Sequence, residues 1–145
     1  MASASDRQSD LTTTIHLTAL RSVQDPLAQL LERADSQTRE VIAALPAKAA
    51  MLVALIGPMK GSRYLLDLDE TTIGRSPDSS IFLDDVTVSR KHASIKRSAG
   101  NYQLIDNASL NGTYLNGSVT SGARLEHGDE IQIGKFRLHF FLGGK

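Results

Sequence analysis

The residues whose types and order could do chemistry in this chain are Arg75, Ser89, Arg90, Ser109, Leu110 and Asn111. They fall in two stretches, GRSPDSSIFLDDVTVSRKHASI from Gly74 to Ile95 and SLNGTYLNG from Ser109 to Gly117. The chemistry they suit is capture of a phosphate. A phosphate dianion presents several acceptor oxygens, and a selective site needs a forked fixed charge together with neutral donors set by loops. Arg75, directly after Gly74 at a strand end, supplies the fork, and Ser89 and Arg90, in a loop held by Val86 and Val88, supply more. Asn111-Gly112 permits a tight turn that exposes amides to a third side of the same pocket. Each charge-assisted bond contributes about 1.5 to 3 kcal/mol, so a few converging donors suffice for a short peptide.

Such donors have to be presented by strands that end together. From about Met51 the apolar period changes to two. Met51–Ile56 and Tyr64–Leu68 read as strands around a Gly57, Pro58, Gly61 break; Thr71–Ile73 and Ser80–Leu83 flank the GRSPDS loop; Ala93–Lys96 follows. Tyr102 and Leu104 oppose Gln103, Thr113–Leu115 follows a loop, Ile131 and Ile133 oppose Gln132, and Phe136, Leu138 and Phe140 oppose Arg137 and His139. Short strands joined by turns such as Asn116-Gly117 and Gly128-Asp129 predict an all-β, two-sheet antiparallel sandwich.

The chain ahead of that domain has a different character. Met1–Asp10 is Ser, Ala, Asp and Arg without periodicity, which buries too little to offset ordering entropy, and LTTTIHLTAL from Leu11 to Leu20 reads as a peptide awaiting a partner. Asp25 and Pro26 then open a helix, with Leu27, Leu30, Leu31, Ala34, Thr38, Val41 and Leu45 on one stripe, Ser36 in its middle able to divide it, and Pro46 ending it. The expected division is a disordered tail over 1–25, a helical linker over 26–48 and the sandwich over 49–145.

Composition excludes several function classes. Lys+Arg and Asp+Glu both number 16 in 145 residues, so no bulk positive charge draws nucleic acid or an anionic membrane. With no cysteine there are no disulfides, thiolate zinc sites or thiol nucleophiles. No signal pattern opens the chain and the longest apolar run, Ala49–Ile56, is far short of a membrane span, so a cytoplasmic protein is expected. Ser89, His92 and Asp106 suggest a hydrolytic triad, yet no G-x-S-x-G elbow accompanies them and there is no Walker A. His16, His92, His127 and His139 lack metal-ligand spacing. Neither catalysis nor a cofactor or metal is expected.

The ordered set Gly74-Arg75, Ser89 to His92, Asn111-Gly112-Thr113 and a second Asn-Gly resembles the signature of the forkhead-associated (FHA) domain, a phosphothreonine-binding β-sandwich. The resemblance runs from about Ala50 to the C-terminus. It implies that Arg75 and Ser89 contact the phosphate with Arg90 assisting, that Ser109 and Leu110 line the adjoining loop, and that Asn111 bonds the peptide backbone. Gly74, His92, Gly112, Thr113 and Asn116 would hold loop geometry.

GRSPDSSIFLDDVTVSRKH, SLNGTYLN and GDEIQIGKFRL resemble more narrowly the actinobacterial FHA regulators known as glycogen accumulation regulator and oxoglutarate dehydrogenase inhibitor. That resemblance implies a regulator that binds and controls 2-oxoglutarate dehydrogenase and glutamate-metabolising enzymes such as glutamate dehydrogenase. It also implies that a Ser/Thr kinase phosphorylates a Thr-Thr motif in the tail, which then folds onto its own FHA site and releases inhibition. The motif falls among Thr12, Thr13 and Thr14; Thr14 is favoured because Ile15 follows it and Leu17 stands third after it, with Thr13 next. Only Asp6 and Asp10 are acidic ahead of it, a departure from the acidic family tail, and the helix after Asp25 is another. About 36 residues from Thr14 to the first strand give a flexible span of roughly 30 to 36 Å, enough to reach a loop of a small domain. The alternative is an adaptor that gathers kinases or other phosphoproteins, in which the tail plays no part.

Overall fold

The computed structural model describes residues 25–144. The expectations for Thr13, Thr14 and the rest of residues 1–24 lie outside the described residues.

Two helices stand where one stripe was expected, α1 (Pro26–Arg33) and α2 (Ser36–Ala43). The reason is a second cap. Asp25 Oδ1 accepts Leu27 N at 3.1 Å ahead of α1, and Asp35 Oδ1 accepts Thr38 N at 2.7 Å ahead of α2. In an unbroken helix Thr38 N would donate to the carbonyl of Ala34; Asp35 takes that donor, and Ala34 is extended at φ −71°, ψ 152°. Bonds from the Thr38 amide and hydroxyl hold the Asp35 carboxyl below its ordinary pKa.

The strands are β1 (Ala50–Val53), β2 (Arg63–Leu65), β3 (Glu70–Gly74), β4 (Ile81–Phe82), β5 (Ala93–Ser98), β6 (Asn101–Asp106), β7 (Thr113–Leu115), β8 (Ser118–Thr120), β9 (Gly122–Arg124), β10 (Glu130–Ile133) and β11 (Phe136–Leu142). They make two sheets, β2-β1-β11-β10-β7-β8 and β4-β3-β5-β6-β9. The all-β sandwich is therefore as expected, with one parallel pair, β3 with β4. Strands β8 and β9 were not legible, since the segment SVTSGAR has no alternation; they form because β7 and β6 offer them pairing edges.

Alternation sets the core. Ala50, Leu52 and Ala54 from one strand line, Phe136, Leu138 and Phe140 from β11, Ile131 and Ile133 from β10, and Ile73, Ile95 and Leu104 from the second sheet pack into one cluster. Tyr102 and Phe140 meet edge to face at 5.4 Å between ring centroids, and Tyr102 Oη donates to Lys48 O at 2.7 Å. Cutting Phe140 to Ala would cost about 3 to 5 kcal/mol at such a site.

Strand β11 also defines the two ends of the sandwich. It starts beside the Gly134-Lys135 turn and finishes at Leu142, opposite Ala50, where Gly143 N donates to Ala49 O at 2.7 Å. The chain thus enters and leaves the sandwich at the end away from that turn.

Candidate functional site

The β3–β4, β4–β5 and β6–β7 loops converge at the Gly134-Lys135 end and bond to one another. Arg75 N donates to Ser89 O at 3.0 Å and Ser76 N to Arg90 O at 3.1 Å, so the backbone after β3 runs along that of the β4–β5 loop. This close approach explains Gly74. A Cβ there would lie 2.1 Å from Arg90 O, so any side chain would push the two loops apart.

Arg75 is half-buried, and its Nε–H is donated to Val88 O at 3.1 Å. That bond restrains the guanidinium through Nε and does not use its terminal nitrogens. Ser89 is positioned from the other side: its Oγ accepts Leu110 N at 2.9 Å, so its hydroxyl proton remains available to an acceptor. His92, fully buried, underlies both loops. Its Nδ1 accepts Ser89 N at 3.0 Å, so the ring proton sits on Nε2, which donates to Gly112 O at 2.9 Å. One imidazole therefore ties the start of the Ser89 turn to the end of the β6–β7 loop.

Asn111 is exposed, and its Nδ2 donates one hydrogen to Thr87 O at 3.0 Å, a bond that uses neither its second amide hydrogen nor its oxygen. Ser109 faces inward instead: its hydroxyl and amide both donate to Asp106, which also accepts Thr113 Oγ1 at 2.7 Å. Burial raises the Asp106 carboxyl, but the bonds from Ser109 and Thr113 outweigh it and its pKa ends below the ordinary value. Leu110 contributes its amide to Ser89 while its side chain is 89% exposed. Arg90 is exposed, and with Lys91 it lowers the pKa of Asp78, whose main partner is the Ser76 hydroxyl.

Of the expected site residues, Arg75, Ser89, Arg90, Ser109, Leu110 and Asn111 thus lie on loops that bond one another, with Gly74, His92, Gly112 and Thr113 beneath them. Asn116 lies at the far end of β7, where its amide bonds Asp129 at 3.0 Å and Glu130 N at 2.9 Å. Of the two valines expected to hold the β4–β5 loop, Val88 is 1% exposed but Val86 is 92% exposed, because Asp85 and Thr87 close a turn that lifts Val86 outward. A cleft of about 430 Å³ lies beside the β6–β7 loop, walled by Ser109, Leu110, Asn111 and, from β8, Val119 and Thr120.

Sequence reasoning missed Asp85, Thr87 and Lys135. Thr87 N and Oγ1 both donate to Asp85 Oδ2, and Lys135 Nζ lies 2.8 Å from Asp85 Oδ1. The Asp-Val-Thr spelling of an Asx turn was a usable signal for the first two; nothing in the sequence joins Lys135 to them. The hydrogen bonds from Lys135 and Thr87 hold the Asp85 carboxyl down at about 2. Among the described residues no cluster of His, Asp and Glu could hold a metal ion, and no helix is long and apolar enough to cross a membrane.

Comparison with known proteins agrees with this geometry. The family model described as FHA domain matches residues 71–134. The chain is 55% identical over 101 residues to the oxoglutarate dehydrogenase inhibitor of Corynebacterium jeikeium, covering 70% of each chain. It is 45% identical over 143 residues to the glycogen accumulation regulator GarA of Mycobacterium tuberculosis, covering 97% of this chain and 87% of that one. Among solved structures, an FHA domain studied for phosphothreonine-dependent interactions superimposes with a TM-score of 0.60 at 29% identity, over 65% of this chain and 96% of its own.

Proposed function

The chain belongs to the forkhead-associated family, in the group of oxoglutarate dehydrogenase inhibitors and glycogen accumulation regulators, and from that premise we propose a phosphorylation-switched, non-enzymatic regulator of a metabolic enzyme. The FHA loops bind phosphothreonine: Arg75 and Ser89 take the phosphate with Arg90 adding charge, Asn111 takes the peptide backbone, and Ser109 and Leu110 shape the loop beside it. The unphosphorylated protein inhibits 2-oxoglutarate dehydrogenase, and glutamate dehydrogenase is a second target. A Ser/Thr kinase modifies Thr14, or Thr13, and the phosphorylated tail then occupies the protein's own site and ends inhibition.

The observation that carries the reading is the pair of pre-aimed donors. Arg75 is oriented by Val88 O and Ser89 by Leu110 N before any ligand arrives, which is what a small anion site requires if binding is not to be spent on ordering side chains. The division into a tail over 1–25, a linker over 26–48 and a domain over 49–145 belongs to the same proposal, as does a cytoplasmic setting where both enzyme and kinase are met. Tethering supports the switch, since a tail joined to its site through the same chain, with enough reach to meet it, does so at an effective concentration of up to about millimolar.

The test uses the full chain and purified 2-oxoglutarate dehydrogenase. The unmodified protein is expected to inhibit turnover, and kinase treatment to abolish inhibition while shifting backbone resonances of Arg75, Ser89 and Asn111 in a concentration-independent way. No inhibition by the unmodified form sinks the regulator reading. Phosphopeptide binding that persists while deletion of residues 1–25 changes nothing would leave an adaptor.

A further inference from the structure

The β4–β5 loop carries Ser89 but has no regular structure between Leu83 and Lys91, so its shape rests on a few turn bonds within it, among them Val88 N to Asp85 O at 3.0 Å, and on bonds that reach it from outside. Those bonds lead to the turn between β10 and β11. We propose that Lys135 is a positioning residue for phosphopeptide binding, acting through Asp85 and Thr87 to hold the two carbonyls that aim Asn111 and Arg75. The proposal rests on the phosphothreonine reading of the site.

The chain of contacts is continuous. Lys135 Nζ sits 2.8 Å from Asp85 Oδ1, while Asp85 Oδ2 accepts Thr87 N at 2.9 Å and the Thr87 hydroxyl. The backbone closes the loop again, since Lys135 N donates to Thr87 Oγ1 at 3.2 Å. Gly134, at φ +59°, lets the turn press onto Thr87: a Cβ there would come within 2.3 Å of Thr87 Oγ1. Thr87 is therefore gripped from the turn through its hydroxyl, and from within its own loop through its amide. Its carbonyl, 2.9 Å from where a Cβ on Gly134 would sit, and that of Val88 next to it are the acceptors for two side chains of the site. Thr87 O accepts Asn111 Nδ2 at 3.0 Å and Val88 O accepts Arg75 Nε at 3.1 Å. Thr87 O and Val88 O belong to successive peptide units, so a displacement of this short backbone segment would misdirect both side chains at once.

A surface ion pair of this length would by itself be worth little. Here the carboxylate is 15% exposed and has three donors on it, so its loss leaves a Thr87 turn without its outer anchor. Lys135 could alternatively be a plain attracting charge for the phosphate. The two roles predict opposite signs for one substitution. Asp85→Asn keeps an acceptor for Thr87 but breaks the pair with Lys135, and it removes a negative charge near a site for a dianion. If charge alone matters, the variant binds phosphopeptide more tightly; if Lys135 positions the loop, it binds more weakly.

The experiment measures binding of a phosphothreonine peptide pool with randomised flanks, and of the same pool unphosphorylated, to the full chain, Asp85→Asn, Lys135→Met and Lys135→Arg, at one fixed ionic strength. The proposal expects about fivefold weaker phosphopeptide binding for Asp85→Asn and about tenfold weaker for Lys135→Met, with Lys135→Arg near wild type. It also expects the side-chain amide resonances of Asn111 and the Nε–H resonance of Arg75 to shift in the unliganded Asp85→Asn and Lys135→Met proteins. Should Asp85→Asn fail to fold, Lys135→Met, altered at a half-exposed side chain, carries the same resonance test. Equal or tighter binding by Asp85→Asn, or unmoved Asn111 and Arg75 resonances, overturns the positioning role. Failure of the wild-type chain to distinguish the two pools overturns the reading of the site itself, and the positioning role falls with it.

Discussion

The chain writes Asn-Gly twice within seven residues, at the two ends of β7, and uses the two copies for different ends. Asn116 sits at φ 51° before Gly117 at φ +87°, the pairing a tight hairpin between β7 and β8 requires. Its amide is spent on the scaffold, donating to Asp129 and accepting from Glu130 N. Asn111, before Gly112 at φ +85°, gives one hydrogen to Thr87 O and keeps the rest of its amide turned to solvent. The lesson concerns what is left over. A polar group whose valences are filled by the fold stabilises it, and a group held by one bond with others to spare is aimed at something else.

If that distinction holds, ligand-facing groups can be removed at small cost in stability and scaffold groups cannot. Arg75→Ala is the largest expected effect on binding: losing the fork removes about 1.5 to 3 kcal/mol, roughly 10- to 100-fold in phosphopeptide affinity by fluorescence anisotropy, with the melting temperature nearly unchanged. Asn116→Ala should do the reverse. It deletes two bonds and places a Cβ-bearing residue less tolerant of positive φ in the hairpin, at about 1 to 2 kcal/mol, seen as a melting point several degrees lower with phosphopeptide affinity within about twofold of wild type. Asn111→Ala is expected to weaken binding about tenfold and to shift the melting temperature by less than Asn116→Ala does. A larger loss of stability at Asn111 than at Asn116 would erase the comparison.

The smallest effect is a pH dependence. The carboxyls of Asp85 and Asp106 are held below their ordinary values, Asp85 at about 2, so unfolding takes up protons as pH falls. Their contribution is complete above the unfolded value near 3.8 and is lost as pH drops through the folded values. Loop resonances of Thr87 and Ser109 should accordingly be constant from pH 7 to 5 and begin to move only in the acid range, with Ser109 and Thr87 reporting the two carboxyls separately. Movement above pH 5 would assign loop order to some other group.

The fold was legible where burial repeats every second residue, as in β6 and β10, because that pattern is a direct record of a half-buried sheet, whereas β11 is buried on both faces from Leu138 to Phe141. It was illegible in β8 and β9, whose exposed residues record only that a neighbour needed an edge partner. The helical stripe from Leu27 to Leu45 was legible, with Ser36 marked as a place where it could divide; the cap that divides it, Asp35, was not. Of the candidate site, the donors were readable because Arg, Ser and Asn announce themselves between glycines. Their orientation was not, since Lys135 meets Asp85 across 50 positions of chain and no local pattern encodes that meeting. Ser109 shows the same limit from the other side, its hydroxyl type suggesting a donor to ligand while the structure directs it to Asp106.

The pairing of Ala50 with Leu142 has a steric consequence. Both ends of the sandwich are rooted at the pole away from the loops that carry Arg75, Ser89 and Asn111, so a bulky protein can settle over those loops without colliding with the root of the chain. The same rooting sets a minimum leash. A segment joined ahead of Ala50 must travel back along the length of β11, roughly 20 Å or about six extended residues, before it reaches the loops at all. A shortened linker would therefore fail abruptly as a switch while the loops stayed open to every other visitor.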